Sequence, residues 1–136
     1  MMALGRHIIA ELSYCDADLL GDLERVQEAM VRAARVAGCD IREVAFHRFQ
    51  PHGVSGVVVI AESHLSIHTW PELRYAAVDV YTCGTTTDPM LAIPYLEQQL
   101  GSKDVNVSVI QRGVPTSTGA FSHVFTVTEE DGILAS

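Results

Sequence analysis

The sequence predicts an α+β fold, a two-layer sandwich in which a mainly antiparallel sheet carries two helices on one face. Two stretches repeat apolar residues at the three-to-four spacing of amphipathic helices, and five short runs have the apolar or alternating character of strands. The strand-like runs in the middle of the chain are close enough to pair as antiparallel neighbours. A length of 136 residues suits one domain, so a single domain over residues 1–136 is expected.

The predicted elements follow from apolar patterning and from the residues that bound it. The strands are His7–Tyr14, Ile41–Gln50, Val54–Ile60, Tyr75–Cys83, which Gly84 ends, and the alternating run Val105–Val109. The first helix begins after a cap at Asp16 or Asp18 and ends at about Ala37. The second begins after a cap at Thr87 or Asp88 and ends at about Leu100. The tail from Gly113 onward is weakly patterned and either folds back through residues 120–127 or is loose.

A homodimer is the expected assembly, because one face of the predicted sheet lacks a cover. The strand Val54–Ile60 is apolar on both of its faces, which indicates burial on both sides. Two helices cover only one side. A second copy of the chain is the simplest cover for the other, so dimerisation through the sheet is predicted. The alternative is that the tail beyond Gly113 covers this face.

Composition excludes several classes of protein. The formal net charge of −8 argues against a nucleic-acid partner, since such proteins carry basic patches. No apolar run approaches the ~20 residues that cross a bilayer, and the first residues lack the apolar core of a signal peptide. Three cysteines at wide spacings indicate free thiols in a reducing compartment. A cytoplasmic protein with neither a membrane nor a nucleic-acid partner is expected.

A cluster of reactive side chains follows the apolar strand. Its members, all between positions 62 and 72, are Glu62, Ser63, His64, Ser66, His68 and Glu72. A hydrophobic core does not need such groups, because burying one without a partner costs roughly 2–7 kcal/mol. The cluster therefore indicates a functional site at the end of a strand.

Ser63 has three interpretations. It is an ordinary strand-end serine, a hydrolase nucleophile activated by His68 or His64, or the centre of a self-processing reaction. The Gly-x-Ser-x-Gly motif of many serine hydrolases is missing around this serine, because Ser63 stands in Ala-Glu-Ser-His-Leu. In self-processing, the Ser63 hydroxyl attacks the carbonyl of Glu62, the amide becomes an ester, and β-elimination leaves a pyruvoyl group at position 63.

Self-processing makes demands on the backbone around Ser63. It needs strain at the scissile bond, donors for the developing oxyanion and a base near the Ser63 Cα. Ser63 and His68 have opposite parity, so in an extended chain they face opposite sides. If they cooperate within one chain, the backbone must bulge or turn between them, and residues 64–66 cannot be a plain strand.

A zinc site is a further alternative. His64 and His68 share parity, His47 can lie on a neighbouring strand, and Glu62 and Cys83 could complete the ligand set. No Cys-x-x-Cys or His-x-Glu pattern supports this site, and no metal is expected. Cys83 itself is either a small buried hydrophobe or an acid that protonates a carbanion.

Seven blocks of the sequence form a recognisable pattern. They are Leu4–His7, Phe46–Phe49, Gly53–Ile60, Glu62–Leu65, Ile67–Glu72, Tyr75–Asp79 and Thr82–Gly84. Together they resemble the short prokaryotic S-adenosylmethionine decarboxylase proenzyme family, over about residues 3–112 and in order. The Glu-Ser-His-Leu and His-Thr-Trp-Pro-Glu sequences are the most specific parts of the resemblance.

The resemblance implies how the chain matures and works. It implies autocatalytic cleavage between Glu62 and Ser63 into a β chain, 1–62, and an α chain, 63–136, whose Ser63 becomes a covalent pyruvoyl cofactor. Neither a metal nor pyridoxal phosphate is implied. The implied roles of other residues are His68 as the processing base, Ser55 as its assistant, Cys83 as the catalytic proton donor, Phe49 stacking on adenine and Glu72 holding the ribose hydroxyls.

The activity that the resemblance implies is decarboxylation of S-adenosylmethionine. The pyruvoyl ketone forms a Schiff base with the substrate amine and takes up the electrons released as carbon dioxide leaves, as pyridoxal phosphate does elsewhere. The product donates an aminopropyl group in spermidine biosynthesis. The family also implies a homodimer of processed protomers with substrate sites at the interface. A cationic sulfonium suits an acidic chain with an aromatic such as Phe49 near the site.

Three residues depart from that family's pattern. Gln50 and His52 flank Pro51 where Leu and Tyr are common, and Arg74 stands where a small residue is common. Because position 50 lies beside Phe49, the alternative function is the same pyruvoyl chemistry on arginine or ornithine. A third hypothesis is an unprocessed protein that binds or regulates a decarboxylase without catalysis.

Overall fold

The computed structural model describes residues 3–83, 88–126, 128–129 and 132–133. Three positions named in the sequence predictions, Gly84, Thr87 and Val127, lie outside these residues.

One antiparallel sheet forms the main layer of the described chain. Its strands are β1 (Gly5–Ser13), β2 (Ile41–Arg48), β3 (Val54–Ile60), β4 (Ser63–Trp70), β5 (Tyr75–Cys83), β6 (Asp104–Pro115) and β7 (Phe121–Thr126). They are ordered β2-β3-β4-β5-β1-β6-β7. Two short strands, β8 (Thr128–Glu129) and β9 (Gly132–Ile133), pair with each other separately. The tail therefore folds back, and residues 121–126 extend the sheet beside β6 instead of lying over it.

Helices cover one face of the sheet, as predicted, but their number differs. They are α1 (Ala17–Leu20), α2 (Leu23–Val36) and α3 (Ala92–Gln99), with 3-10 turns at Pro71–Leu73 and Pro89–Leu91. The single helix predicted to reach Ala37 is wrong, because Asp22 begins a new helix by accepting a hydrogen bond from the Arg25 N–H. Asp16, not Asp18, caps the first helix. No helix among the described residues is long and apolar enough to cross a membrane.

Strand β4 also differs from the sequence prediction, which has no strand at residues 63–70. It forms a hairpin with β3, in which Ile60 pairs with Ser63 across a two-residue turn. Buried Leu65, Ile67 and Thr69 alternate with more exposed residues, which is the pattern of a strand with one buried face. The prediction assigns this stretch only to the reactive cluster and so omits the strand. The Thr69 hydroxyl is satisfied in the core, since it donates to the Leu20 carbonyl and accepts from the Val54 N–H, both at 2.9 Å.

The hydrophobic core lies between the helices and one face of the sheet. Residues of one parity in each central strand point into it, among them Ile8, Ala10, Leu12, Val58, Leu65, Ile67, Val78 and Val80. Residues of the other parity form what we call the open face. The helices leave this face uncovered, and its Trp70 and Val59 are 39% and 37% exposed. The α+β class and antiparallel sheet are confirmed, whereas the dimer that would cover the open face stays a prediction.

Candidate active site

Chemistry-bearing residues gather at two opposite ends of the sheet. The hairpin end contains the β3–β4 turn at residues 61–62 and the last residues of β5. The loop end contains residues 49–53, which connect β2 to β3, and the turn Pro71–Leu73 after β4. Since β4 runs from one end to the other, its first and last residues belong to different clusters.

At the hairpin end, Glu62 and Ser63 adopt a geometry that suits bond rearrangement. Glu62 has a φ of +69°, in the left-handed region, which costs a residue with a side chain about 1–2 kcal/mol. The Ser63 hydroxyl donates a short hydrogen bond of 2.5 Å to the carbonyl oxygen of Glu62. The predicted strain at this peptide is therefore present, and the nucleophile lies beside the carbonyl that it would attack.

Cys83 lies at the same end. Tyr81 of β5 pairs with His64 of β4, and His64 directly follows Ser63 in the chain. Cys83 pairs with Gly5 of β1, and its side chain has the parity of the open face. The Cys83 thiol and the Glu62–Ser63 bond thus share one end of the sheet.

The residues around Cys83 form a polar and aromatic cluster on the open face. A Cβ added to Gly5 would lie 2.5 Å from the Tyr81 hydroxyl oxygen, so only glycine lets the ring lie across this position. The Tyr81 ring contacts His7 edge-on at 5.6 Å between centroids, and the Arg112 guanidinium lies 5.4 Å from its centre. The Tyr81 side chain therefore lies on the open face, on the same side of β5 as Cys83.

His7 lies within this cluster as a partly buried imidazole, with 18% of its side chain exposed. Its Nε2 makes no hydrogen bond with the described residues and lies 3.9 Å from the Asp79 carboxylate. Burial lowers the pKa of His7 below 6.5; Asp79 opposes this shift, while Arg112 and His64 add to it. His7 is therefore held in its neutral form near the hairpin end.

A second pair lies on the open face towards the loop end, where Tyr75 of β5 pairs with Trp70 of β4. The Tyr75 hydroxyl donates a hydrogen bond to the Glu11 carboxylate. Burial, then this hydrogen bond and the negative charges of Glu11 and Asp79, raise the pKa of Tyr75 to about 12. Tyr75 consequently remains a protonated donor at neutral pH.

At the loop end, Ser55 and His68 form a hydrogen-bonded pair. They are direct partners on β3 and β4, and Ser55 Oγ lies 2.8 Å from His68 Nδ1. His47 pairs with Ser55 from the other side, on β2. His68 thus has a hydroxyl partner, but that partner is Ser55 rather than Ser63.

The structure does not bring Ser63 and His68 together within one chain. Residues 64–66 form a regular strand, so the bulge or turn that such a contact requires is missing. Five strand positions separate the two residues by ~17 Å, and they have opposite parity. An intrachain hydrolase pair of Ser63 and His68 is therefore wrong, and a base for Ser63 must come from elsewhere.

The arrangement also bears on the zinc alternative. His64 and His68 share the open face, but four strand positions separate them by ~13 Å. Within residues 3–83 and the other described segments, no group of three His, Cys, Asp or Glu side chains could hold a metal ion.

The loop end carries the two residues expected to bind substrate. Phe49 is 47% exposed and contacts His47 edge-on, with ring centroids 4.7 Å apart. Glu72 lies in the turn after β4, where its Oε1 is 3.1 Å from His52 Nε2. An exposed aromatic ring and a carboxylate therefore lie at the same end of the sheet as the Ser55–His68 pair.

Sequence reasoning missed Tyr81, His7 and the Tyr75–Glu11 pair as residues of this face. A signal for two of them was present, because every second residue of a strand shares a face. Counting back from Cys83 along β5 in steps of two residues gives Tyr81, Asp79, Ala77 and then Tyr75. His7 and Glu11 carried no such signal, since only the pairing of β1 with β5 brings them alongside.

Comparison with known proteins identifies relatives of most of the chain. Residues 6–113 match the family model for S-adenosylmethionine decarboxylase. The chain is 62% identical over 114 residues to the S-adenosylmethionine decarboxylase proenzyme of Carboxydothermus hydrogenoformans, covering 84% of this chain and 90% of that relative. The proenzyme of the same name from Moorella thermoacetica is 57% identical, covering 84% and 91%. The crystal structure of adenosylmethionine decarboxylase from Aquifex aeolicus matches with a TM-score of 0.79 and 39% identity, over 86% of this chain and 97% of that one.

Proposed function

The chain belongs to the S-adenosylmethionine decarboxylase family and is a decarboxylase, and we propose that it cleaves itself at Glu62–Ser63 and then decarboxylates S-adenosylmethionine. The observation that carries the proposal is the strained Glu62 peptide, with the Ser63 hydroxyl 2.5 Å from its carbonyl oxygen. Membership of this family favours catalysis over the hypothesis of a non-catalytic regulator.

The first step is an acyl shift within the chain. The Ser63 oxygen attacks the Glu62 carbonyl carbon, its proton passes to a base, and the C–N bond breaks as the nitrogen of residue 63 takes up a proton. A base then removes the Ser63 Cα proton and a carbon–carbon double bond forms. The ester C–O bond at the Ser63 Cβ breaks, and the backbone carboxylate of Glu62 leaves as the new C-terminus of residues 1–62. Tautomerisation and attack by water release ammonia and leave a ketone at position 63, with residues 1–62 and 63–136 as separate chains.

The base for this step is proposed to come from a second copy. His68 is oriented by Ser55 at 2.8 Å but lies ~17 Å along the strand from Ser63. A two-fold axis that runs parallel to the open face and perpendicular to its strands would place the loop end of one copy over the hairpin end of its partner, and the reverse. A homodimer of this kind covers the open face and assembles two complete sites, each with Ser63 and Cys83 from one copy and Ser55 and His68 from the other.

The residues present fit a pyruvoyl group at position 63. When formed, this group supplies the carbonyl that accepts electron density as carbon dioxide leaves. Cys83, at the same end of the sheet, holds the proton that the α-carbon of the product needs. Phe49 and Glu72, from the partner's loop end, stack on the adenine and accept hydrogen bonds from the ribose. The product is the aminopropyl donor for spermidine biosynthesis.

The alternative substrates arginine and ornithine rested on the polar side chain of Gln50. Gln50 lines, with Arg48, a cleft against the junction of α1 and α2 at residues 17–24. Arg48 pairs with buried Val54 and so has the parity of the core face, which places this cleft on the helix side of the sheet and not on the open face with Ser55 and His68.

Two measurements test the proposal. Mass spectrometry under denaturing conditions should find two chains divided after Glu62, with the larger one lacking an intact serine at its N-terminus. Purified protein should release labelled carbon dioxide from S-adenosylmethionine and not from arginine or ornithine. An active preparation in which every chain is intact would rule out self-processing, and release from arginine or ornithine alone would replace the substrate.

A further inference from the structure

We propose that His52 is a positioning residue for substrate binding: it fixes the Glu72 carboxylate so that this group recognises the ribose of the substrate. The inference rests on the proposed function, because it assumes that the substrate carries a ribose. His52 is not one of the residues proposed for self-cleavage or for proton transfer to the product.

The contact joins two segments that are far apart in sequence. His52 lies in the β2–β3 connection and Glu72 in the turn after β4, and His52 Nε2 is 3.1 Å from Glu72 Oε1. Both side chains are nearly half exposed, at 46% and 44%. An isolated pair of this exposure contributes little to stability, so its significance must come from where it lies.

The connection that carries His52 is firmly held. The Phe49 N–H donates to the Gly53 carbonyl at 2.8 Å, which closes the loop. Gly53 has a φ of +110°, and an added Cβ would lie 3.1 Å from the Thr69 carbonyl oxygen, so the loop packs closely against the end of β4. His52 is thus presented from a closed loop on which the aromatic ring of Phe49 is also exposed.

The segment that carries Glu72 is equally well anchored. Pro71 is buried, and its carbonyl accepts the Arg74 N–H at 3.1 Å, which closes the 3-10 turn. The Arg74 side chain donates to the Cys15 carbonyl at 2.7 Å. The backbone at Glu72 is therefore fixed, and the remaining freedom lies in the torsions of the glutamate side chain, which the His52 contact restricts.

The chemistry of the pair suits recognition of a diol. A carboxylate has about four lone-pair sites on two oxygens, and His52 engages only Oε1. Oε2 and the remaining sites can accept hydrogen bonds from the two ribose hydroxyls. Because His52 holds the carboxylate before substrate arrives, less side-chain freedom is lost on binding. The expected effect of His52 is therefore on KM and not on kcat.

The test compares S-adenosylmethionine with the analogue that lacks the ribose 2′ hydroxyl. We expect His52→Ala to raise KM for S-adenosylmethionine about fivefold and to change kcat by less than about twofold. With the 2′-deoxy analogue the increase in KM should fall below about twofold. His52→Gln, whose amide nitrogen can occupy the place of Nε2, should restore KM for the natural substrate. Arg32→Ala, which removes an exposed helical ion pair with Glu28, is the matched control and should leave KM unchanged.

Each outcome has a distinct meaning. An unchanged KM in His52→Ala, an equal increase for both substrates, or failure of His52→Gln to restore binding would overturn the positioning role. If the wild-type enzyme does not decarboxylate S-adenosylmethionine at all, the proposed function fails first. Because KM does not depend on the fraction of active enzyme, partial misfolding of a variant does not obscure the comparison.

Discussion

Ser55 and His68 are cross-strand partners whose side chains are hydrogen-bonded at 2.8 Å, at the end of the sheet opposite the Glu62–Ser63 peptide. A hydroxyl that orients an imidazole is an arrangement suited to proton transfer. Its distance from Ser63 means that one copy of the chain holds two incomplete halves of the proposed site.

The first prediction concerns complementation between copies. His68→Ala alone should process at least about 100-fold more slowly, since it lacks the general base, and Ser63→Ala should remain one uncleaved chain with its fold intact. When the two variants are expressed together, the His68→Ala chains should be cleaved after Glu62, because His68 of the other variant reaches their Ser63. Mass spectrometry that separates the two variants by a tag measures this. Absence of cleavage in the mixture would show that the base acts within its own chain.

The second prediction separates processing from catalysis. Cys83→Ala should cleave at Glu62–Ser63 but lose decarboxylation by about 100-fold or more, because the proton for the product α-carbon is missing. Gel analysis follows cleavage and carbon dioxide release follows turnover. Cys39→Ala is the control, since Cys39 packs against the hydrophobic core rather than on the open face. Full turnover by Cys83→Ala would remove it as proton donor.

The third prediction concerns a glycine inside β3. Gly56 pairs with Phe46 of β2, and an added Cβ would lie 1.9 Å from the Phe46 ring. Gly56→Ala should therefore lower the free energy of unfolding by about 1–3 kcal/mol, because the ring must move. Urea unfolding of the uncleaved Ser63→Ala protein measures the loss. Gly21→Ala is the matched control, since its nearest neighbours would be at an ordinary 3.8 Å; equal losses in the two variants would contradict the steric explanation.

The fourth prediction concerns pH. Burial lowers the pKa of His7 in the folded state below its ordinary value of 6.5, so between these two values the unfolded chain binds more protons. This contribution to stability is complete above pH 6.5 and decreases as the pH falls through that window. Both proteins are compared in the Ser63→Ala background. As the pH falls from 7.5 to 5.5, the stability of His7→Gln relative to its parent should therefore increase, as measured by urea midpoints.

His123→Gln is the control for this experiment, because its imidazole lies exposed on β7. The same relative gain in that variant, or no gain in His7→Gln, would show that His7 is not the group responsible.

Much of the fold follows from local pattern. Four predicted strands, β1, β2, β3 and β5, agree with the observed ones to within about two residues, since apolar alternation and bounding turn residues are local features. β4 has the same alternation, but its outward residues are reactive groups and one inward residue is the polar Thr69, so the stretch indicates a functional site more strongly than a strand. A buried threonine is acceptable only when the Leu20 carbonyl and the Val54 N–H are both nearby, and the sequence does not reveal that proximity.

The sequence alone determined which groups are available: a serine preceded by glutamate at the end of an apolar strand, imidazoles at two spacings beyond it, and a cysteine at the end of the next predicted strand. Residue identity and strand periodicity are local properties, so they can be obtained without coordinates. Only the tertiary structure decided which groups meet. Strand register pairs Ser55 with His68, turn geometry bends the backbone at Glu62, and loop packing joins His52 to Glu72. Each of these contacts joins chain segments through long-range pairing and close packing, which no local pattern specifies.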